Sequence, residues 1–549
     1  MAAVMKLFRP LPAARRFGLP PLAVWFSLTA LHCSFAPGYG DIAFRGGDGE
    51  DSNDSQLEQP AVEPALDSGS EDEVAADEFS DDTTITTEEG ADDESQGETE
   101  AEYLNPVCAE MGLSLWTALI AALGSEPTAL EPLTELHLIA ATNEQFLDIQ
   151  GTSCLPNLET LELASFGGVD LGPLEQLPAL RTLVIRFLFS AGDTLPSLPN
   201  LESLTATDYT FFDVDSLAGK DFSSLLYLDL NDNFLSNLTG LEYFTTLETL
   251  NLSENEISNL DPLSNLLLLR ALNLSQNSGL QDLAPLANLT NLEYLDLPQT
   301  AVTDLSPLED LSNLIALDLS LLDTPPGTNL PTWAQTLSAL TALRTLQLNS
   351  DQISNGDIGT IATLNQLADL QLANNDFDSI ADLSTMTHLQ NLNIAGNSLA
   401  SLAATATVLA ALPDLRGVDL GATGWQDLSL LDPLVQAQTS EHHLESLAVN
   451  SNGISDISAV ADFQFLANFF AADNQISNVD ALEDLDSLRV VDLRHNPLAD
   501  LEGLVMNAGF TTLGSEHHLY LTASTTINPD NLQVVALRDI ALVNIHWDP

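Results

Sequence analysis

The feature that most constrains this chain is one phrase recurring at nearly constant spacing. Leu225-x-x-Leu228-x-Leu230-x-x-Asn233 is followed 22 residues later by Leu247-x-x-Leu250-x-Leu252-x-x-Asn255. The frame restarts at Leu269, Leu292, Leu314, Leu343, Leu367, Leu389, Leu415, Leu444, Leu466 and Leu488, and more loosely upstream at Leu133, Leu158, Leu180 and Leu201, sixteen copies in all. A unit of 22 residues cannot bury a core alone, so neighbouring copies must stack and share one. The 549 residues therefore predict one long solenoid rather than three or four globules.

Each letter of the frame has a physical reason. Leu228 and Leu230 alternate, as in a short strand with one side in the core, and Tyr227, Asp229 and Asn231 then face outward. The next fixed position needs an amide to bond the backbone groups that a tight turn leaves unpaired. Asn233, Asn255, Asn277, Asn375, Asn397, Asn452, Asn474 and Asn496 form that structural ladder. Thr300, Asp351 and Thr423 are partial substitutes, whereas Leu188 and Leu322 should interrupt it. Return segments such as Ile257-Ser258-Asn259-Leu260-Asp261-Pro262-Leu263 are short and carry proline, which favours an extended or single-turn path.

This frame is the leucine-rich repeat pattern. Over roughly residues 104–549 it resembles the bacterial internalin-like subclass, which is similar in repeat form to the phosphatase-regulator repeats of eukaryotic cells. The expected fold is an α/β-type solenoid, a horseshoe with a parallel concave sheet and short 3-10 or extended convex returns. By the same resemblance, residues 107–124, with apolar residues at helical spacing, look like an N-terminal capping helix, and residues 501–528 look like the closing atypical repeat. The expected organisation is an export signal at 1–40, an acidic linker at 41–102, a cap at 103–132, repeats at 133–498 and a C-terminal capping repeat at 499–549.

Composition bears on the ends and on the partners. Lys6, Arg9, Arg15 and Arg16 precede an apolar stretch at residues 22–31 and small residues around Ser34-Phe35-Ala36, as in an export signal. Secretion or cell-surface display is expected; lipid attachment at Cys33 is the lesser alternative, because Ala30-Leu31-His32 makes a poor lipobox. Residues 47–102 hold 22 acids and no Lys, Arg or His, so they should form a disordered, self-repelling spacer. Eighty acids against 14 basic residues leave a net charge of -66, which excludes a nucleic-acid binder built on clustered Lys and Arg. No apolar run is long enough to span a bilayer. Of the three cysteines, Cys108 in the expected cap and Cys154 just before the second coil suit a disulfide pinning cap to solenoid, against the alternative of two separate buried thiols.

No catalytic constellation emerges, and no cofactor is implied. The duplicated phrases Ser440-Glu441-His442-His443 and Ser515-Glu516-His517-His518 are the best metal candidates, but at ~4.8 Å per coil three coils separate them by roughly 14 Å, too far for a shared ion. An enzyme using these phrases or the longer coils is the alternative to a non-enzymatic module that binds a protein. For that module the surface is the outward strand face. Its central positions run Asp229, Asn251, Asn273, Asp296, Asp318, Gln347, Gln371, Asn393 and Asp419, flanked by Tyr227 and Tyr294. Such a stripe calls for a basic or donor-rich protein partner, with the two tyrosines as anchors. The plainer reading of any one of these residues is a hydrated side chain that keeps the solenoid soluble.

Overall fold

The computed structural model describes residues 133–139, 149–164, 169–186, 195–207, 214–322, 330–439, 442–511, 517–523, 527–540 and 543–548. The export signal, acidic linker and N-terminal cap assigned from the sequence, with Cys33 and Cys108, lie outside them. The described residues form one open parallel sheet of 18 strands, from Glu135–Ile139 to Asn544–Asp548, in which each strand pairs with its neighbours in sequence. Sixteen strands fall on the sixteen frames, and the last two, His518–Thr522 and Asn544–Asp548, carry the sheet through the segment read as a closing repeat.

Register follows the frame: Leu228 pairs with Leu250, Leu250 with Leu272, Leu272 with Leu295 and Leu295 with Leu317. These leucines, with Leu230, Leu252 and Leu274, are buried in one continuous core. Each fully buried leucine contributes roughly 1.5–3 kcal/mol of transfer free energy, and stacking lets neighbouring coils share the burial.

In the coils of 22 or 23 residues the chain returns through a single 3-10 turn, as at Asp261–Leu263, Ala284–Leu286 and Ser306–Leu308, each with proline in its first turn. The longer coils use their extra residues for α-helices: Leu330–Ala339, Leu402–Ala410 and Asp432–Ala437. Short returns are thus the rule of the regular coils only. The helix at Leu330–Ala339 is tied to its neighbour by the Trp333 indole N–H, which donates to the Thr303 carbonyl at 3.0 Å. Pro325-Pro326-Gly327, read as a bulging loop, lie outside the described residues.

The turn after each strand explains the ladder. The residue just before the ladder position adopts left-handed backbone in coil after coil: Asp232, Glu254, Gln276, Gln299, Leu321, Asn374, Ala422, Ser451, Asp473 and His495 all have φ between 50° and 58°. Such a conformation costs non-glycine residues of order 1 kcal/mol or more and persists only where surrounding bonds hold it. The asparagine supplies them. Asn255 donates through Nδ2 to the carbonyls of Leu230, Leu252 and Ser253 at 2.9–3.1 Å, while its Oδ1 accepts the Leu235 N–H at 2.9 Å. Asn277, Asn375, Asn397, Asn452, Asn474 and Asn496 repeat the donation, and Asn233 donates to Ala206, Leu230 and Asn231. At Gly396, φ 70°, a Cβ would lie 2.1 Å from Asn374 Oδ1, so a side chain there would both strain the turn and displace the Asn374 amide.

Thr300 and Thr423 each keep one ladder bond through Oγ1, to Leu297 and Leu420. Leu322 keeps none; its own N–H donates to Asp351 Oδ1 at 3.1 Å. Asp351 Oδ2 is buried without a hydrogen-bond partner among the described residues. Leu188 lies outside those residues.

Candidate functional site

Because the strands pair in register, residues at one frame position form straight rows across coils. The central row runs Thr205, Asp229, Asn251, Asn273, Asp296, Asp318, Gln347, Gln371, Asn393, Asp419 and on to Ala448. Beside it runs Tyr227, Thr249, Ala271, Tyr294, Ala316, Thr345 and Asp369. Tyr227 and Tyr294 thus share a row three coils apart. Tyr294 stands between two alanines, Ala271 and Ala316.

The acids and amides of the central row also have a local task that the sequence reading missed. Asp229 Oδ1 accepts the N–H of Asn231, and the same bond to the residue two ahead recurs from Asn251 to Ser253, Asn273 to Ser275, Asp318 to Ser320, Asn393 to Ala395 and Asp419 to Gly421, at 2.9–3.1 Å. Short side chains with an oxygen on Cγ satisfy a strand-end N–H in this way. The run of Asp and Asn is therefore partly a turn signal, legible in hindsight from its constant distance to the ladder. Gln347 and Gln371 are one methylene too long for it, and Gln371 Nε2 instead donates to Asp369 Oδ1 at 2.6 Å. Gln371 and Asn393 are only 5% and 7% exposed, so they offer a partner little surface.

Crowding on this inner face shifts its protonation. Burial raises the Asp296 carboxyl well above the usual range, and the neighbouring Asp318 charge raises it further. Burial lifts Asp318 to about 6 against the opposing bonds from Ser320, and Asp419 to about 7. Asp229 and Asp369 are raised by the same cause. Tyr227 is raised by burial and by Asp229, whose Oδ2 accepts its hydroxyl at 3.1 Å. The face therefore carries less negative charge near neutral pH than its formula implies.

The histidine phrases sit differently from what coil spacing suggested. His443 and His517, one from each phrase, line a single cavity of about 920 Å³ at the edge where the strands begin. Three coils are too many for one ion but not for one cavity. Among the described residues no group of three or more His, Cys, Asp or Glu is placed to hold a metal. None of their helices is long and apolar enough to cross a membrane. Cys154 is disulfide-bonded, and its partner lies outside the described residues.

A family model described as a leucine-rich repeat region matches residues 246–517. Among solved structures the chain is similar to an internalin of Listeria monocytogenes, at 24% identity over 74% of this chain and 95% of that one, with a TM-score of 0.36. A leucine-rich repeat protein of Leptospira interrogans is 21% identical over 67% and 92% of the two chains, with a TM-score of 0.42. TLR13, in its complex with ssRNA13, is 20% identical over 74% and 62%, with a TM-score of 0.53, a likeness of fold. No curated protein matches the chain. With its recurring frame, its ladder of asparagines and its parallel sheet of stacked coils with short returns, the chain carries a leucine-rich repeat region.

Proposed function

We propose that this protein is a secreted or surface-displayed, non-enzymatic recognition module that binds a basic or donor-rich protein across the strand face from Tyr227 to Asp419. One observation carries the reading: the register aligns Tyr227 and Tyr294 beside an unbroken row of carboxylates and amides from Asp229 to Asp419. Aromatic side chains within a polar field are the usual anchors of a protein interface. The disulfide at Cys154 suits an oxidising compartment. RNA, which TLR13 holds in the structure cited above, is a poor fit for so acidic a chain: Arg186 and Arg494 on this face are paired with Glu162 and Asp492.

The test uses a partner captured by the full chain and identified by mass spectrometry. Replacing Tyr227 and Tyr294 together with alanine should weaken binding by more than about 2 kcal/mol, roughly thirtyfold. Asp296→Asn with Asp318→Asn should slow association and flatten its salt dependence at pH 8, and do less at pH 5, where burial holds Asp318 protonated. Asp261→Asn with Asp304→Asn, on the return side, serves as control. Loss of binding in the control, with both strand-face variants unaffected, would move recognition elsewhere. Protein from the native host should begin between Ala36 and Asp41, without lipid on Cys33, and Cys108 should resist alkylation until reduction.

A further inference from the structure

A second site lies away from the recognition face, on the edge where the strands begin. The position just before each strand forms its own row, and there arginine meets glutamate of the next coil: Arg181 with Glu202, Arg270 with Glu293 at 2.6 Å, and Arg416 with Glu445. Arg344 is turned onto the carbonyls of Thr341 and Leu343 instead. Arg489 breaks the rule. Its row neighbours are Ala467 in the preceding coil and His517 in the following one, and Glu445, two coils back, is already held by Arg416. Among the described residues the Arg489 guanidinium has no hydrogen-bond or ion-pair partner, in a chain with 80 acids.

That arginine lines the cavity of about 920 Å³. Ala467 leaves room beside Arg489, a methyl group where the two preceding coils place Arg416 and Glu445. Its walls are fixed: the His443 ring stacks on Phe465 at 4.1 Å between centroids, and His517 stacks on Phe510 at 5.1 Å. The His443 Nδ1 is buried without a hydrogen-bond partner among the described residues. Asp486 also lines the cavity, and its carboxylate makes no ion pair among the described residues, with Arg489 or any other base. At Gly509 a Cβ would lie 1.9 Å from the Asp486 carbonyl oxygen, so only glycine allows that coil to close against Asp486.

A guanidinium and a carboxylate held apart in one cavity, with an aromatic wall between coils, describe a receptor for the opposite arrangement. The geometry points to a binding site for a small zwitterion with an aromatic ring, an aromatic α-amino acid: its carboxylate forks onto Arg489, its ammonium faces Asp486 and its ring packs on the Phe465–His443 stack. The volume falls within the ~300–1,000 Å³ of small-molecule sites, and a bidentate arginine–carboxylate pair supplies orientation as well as attraction.

Calorimetric titration of L-phenylalanine into the full chain at low salt tests the assignment. Saturable one-to-one binding is expected, at least tenfold weaker for phenethylamine, which lacks the carboxylate, and for hydrocinnamate, which lacks the ammonium. Arg489→Gln alters an exposed side chain without removing packing, so circular dichroism should be unchanged while affinity falls at least tenfold. Ala467→Arg should abolish binding by filling the cavity. Absence of saturable binding at millimolar phenylalanine, or wild-type affinity in both variants, would overturn the proposal. So would tighter binding of an N-acetylated peptide ending in phenylalanine than of the free amino acid, which would assign the cavity to a peptide C-terminus.

Discussion

The coils from Leu225 to Leu314 and those from Leu314 to Leu367 solve the same stacking problem with different residues. In the first stretch Asn233, Asn255 and Asn277 hold the turns and each coil returns through a short 3-10 segment. In the second, Leu322 and Asp351 occupy the ladder positions and helices at Leu330–Ala339 and Asn355–Ile361 fill the returns. Leu321 nonetheless keeps the left-handed turn at φ 58°, with its side chain 46% exposed. The turn geometry is thus imposed by the stack of neighbours, while the ladder decides how much it costs. Where the amide is missing, the added helices, with Trp333 buried beneath, supply packing in its place.

The sharpest way to break this contrast is to remove a rung from the regular stretch. Asn255→Ala leaves the Leu230, Leu252 and Ser253 carbonyls and the Leu235 N–H without that partner, so urea unfolding should show a loss of about 3 kcal/mol. A loss under about 0.5 kcal/mol would make the ladder incidental.

The complementary change repairs the irregular stretch. Asp351 accepts from Leu322 but, ionised, donates nothing, and burial lifts its pKa to about 8, with the Asp318 charge adding to the shift. That value lies above an unfolded aspartate's ~3.9, so between about 4 and 8 the folded chain holds a proton that the unfolded chain has released. Stability contributed by this group is therefore present at low pH and lost as pH rises through the window; Asp318 and Asp419, raised to about 6 and 7, act in the same direction. Asp351→Asn should add about 2 kcal/mol at pH 8, little at pH 5, and shrink the fall in melting temperature between them. An equal effect at both pH values would mean that the carboxyl's charge is irrelevant there.

The smallest expected effect is general. Net charge is -66, and carboxylates of adjacent coils, such as Asp296 and Asp318, face each other in register. Screening acts over ~10 Å at 0.1 M salt, so melting temperature should rise by a few degrees from low to about molar sodium chloride. The rise should be smaller at pH 5, where Asp318 and Asp419, raised to about 6 and 7, are already largely protonated.

The repeat, the strand positions, the facing of each leucine and the asparagine ladder were legible in the letters alone. A period of 22 with alternating Leu228 and Leu230 leaves one way to bury a shared core, and that is a local pattern repeated. The letters also showed the stripe from Asp229 to Asp419 without separating its two causes, since an Asp that caps a turn and an Asp that awaits a partner are the same letter. What depends on neighbours distant in the chain emerged with the folded stack. The left-handed residues, Leu321 among them, carry no glycine signal because the stack holds them. The raised carboxyls of Asp318, Asp351 and Asp419 follow from crowding against adjacent coils. The cavity around Arg489 exists because register sets that arginine between Ala467 and His517 and brings His443 to the same edge, and register is a property of stacked coils that no single repeat contains.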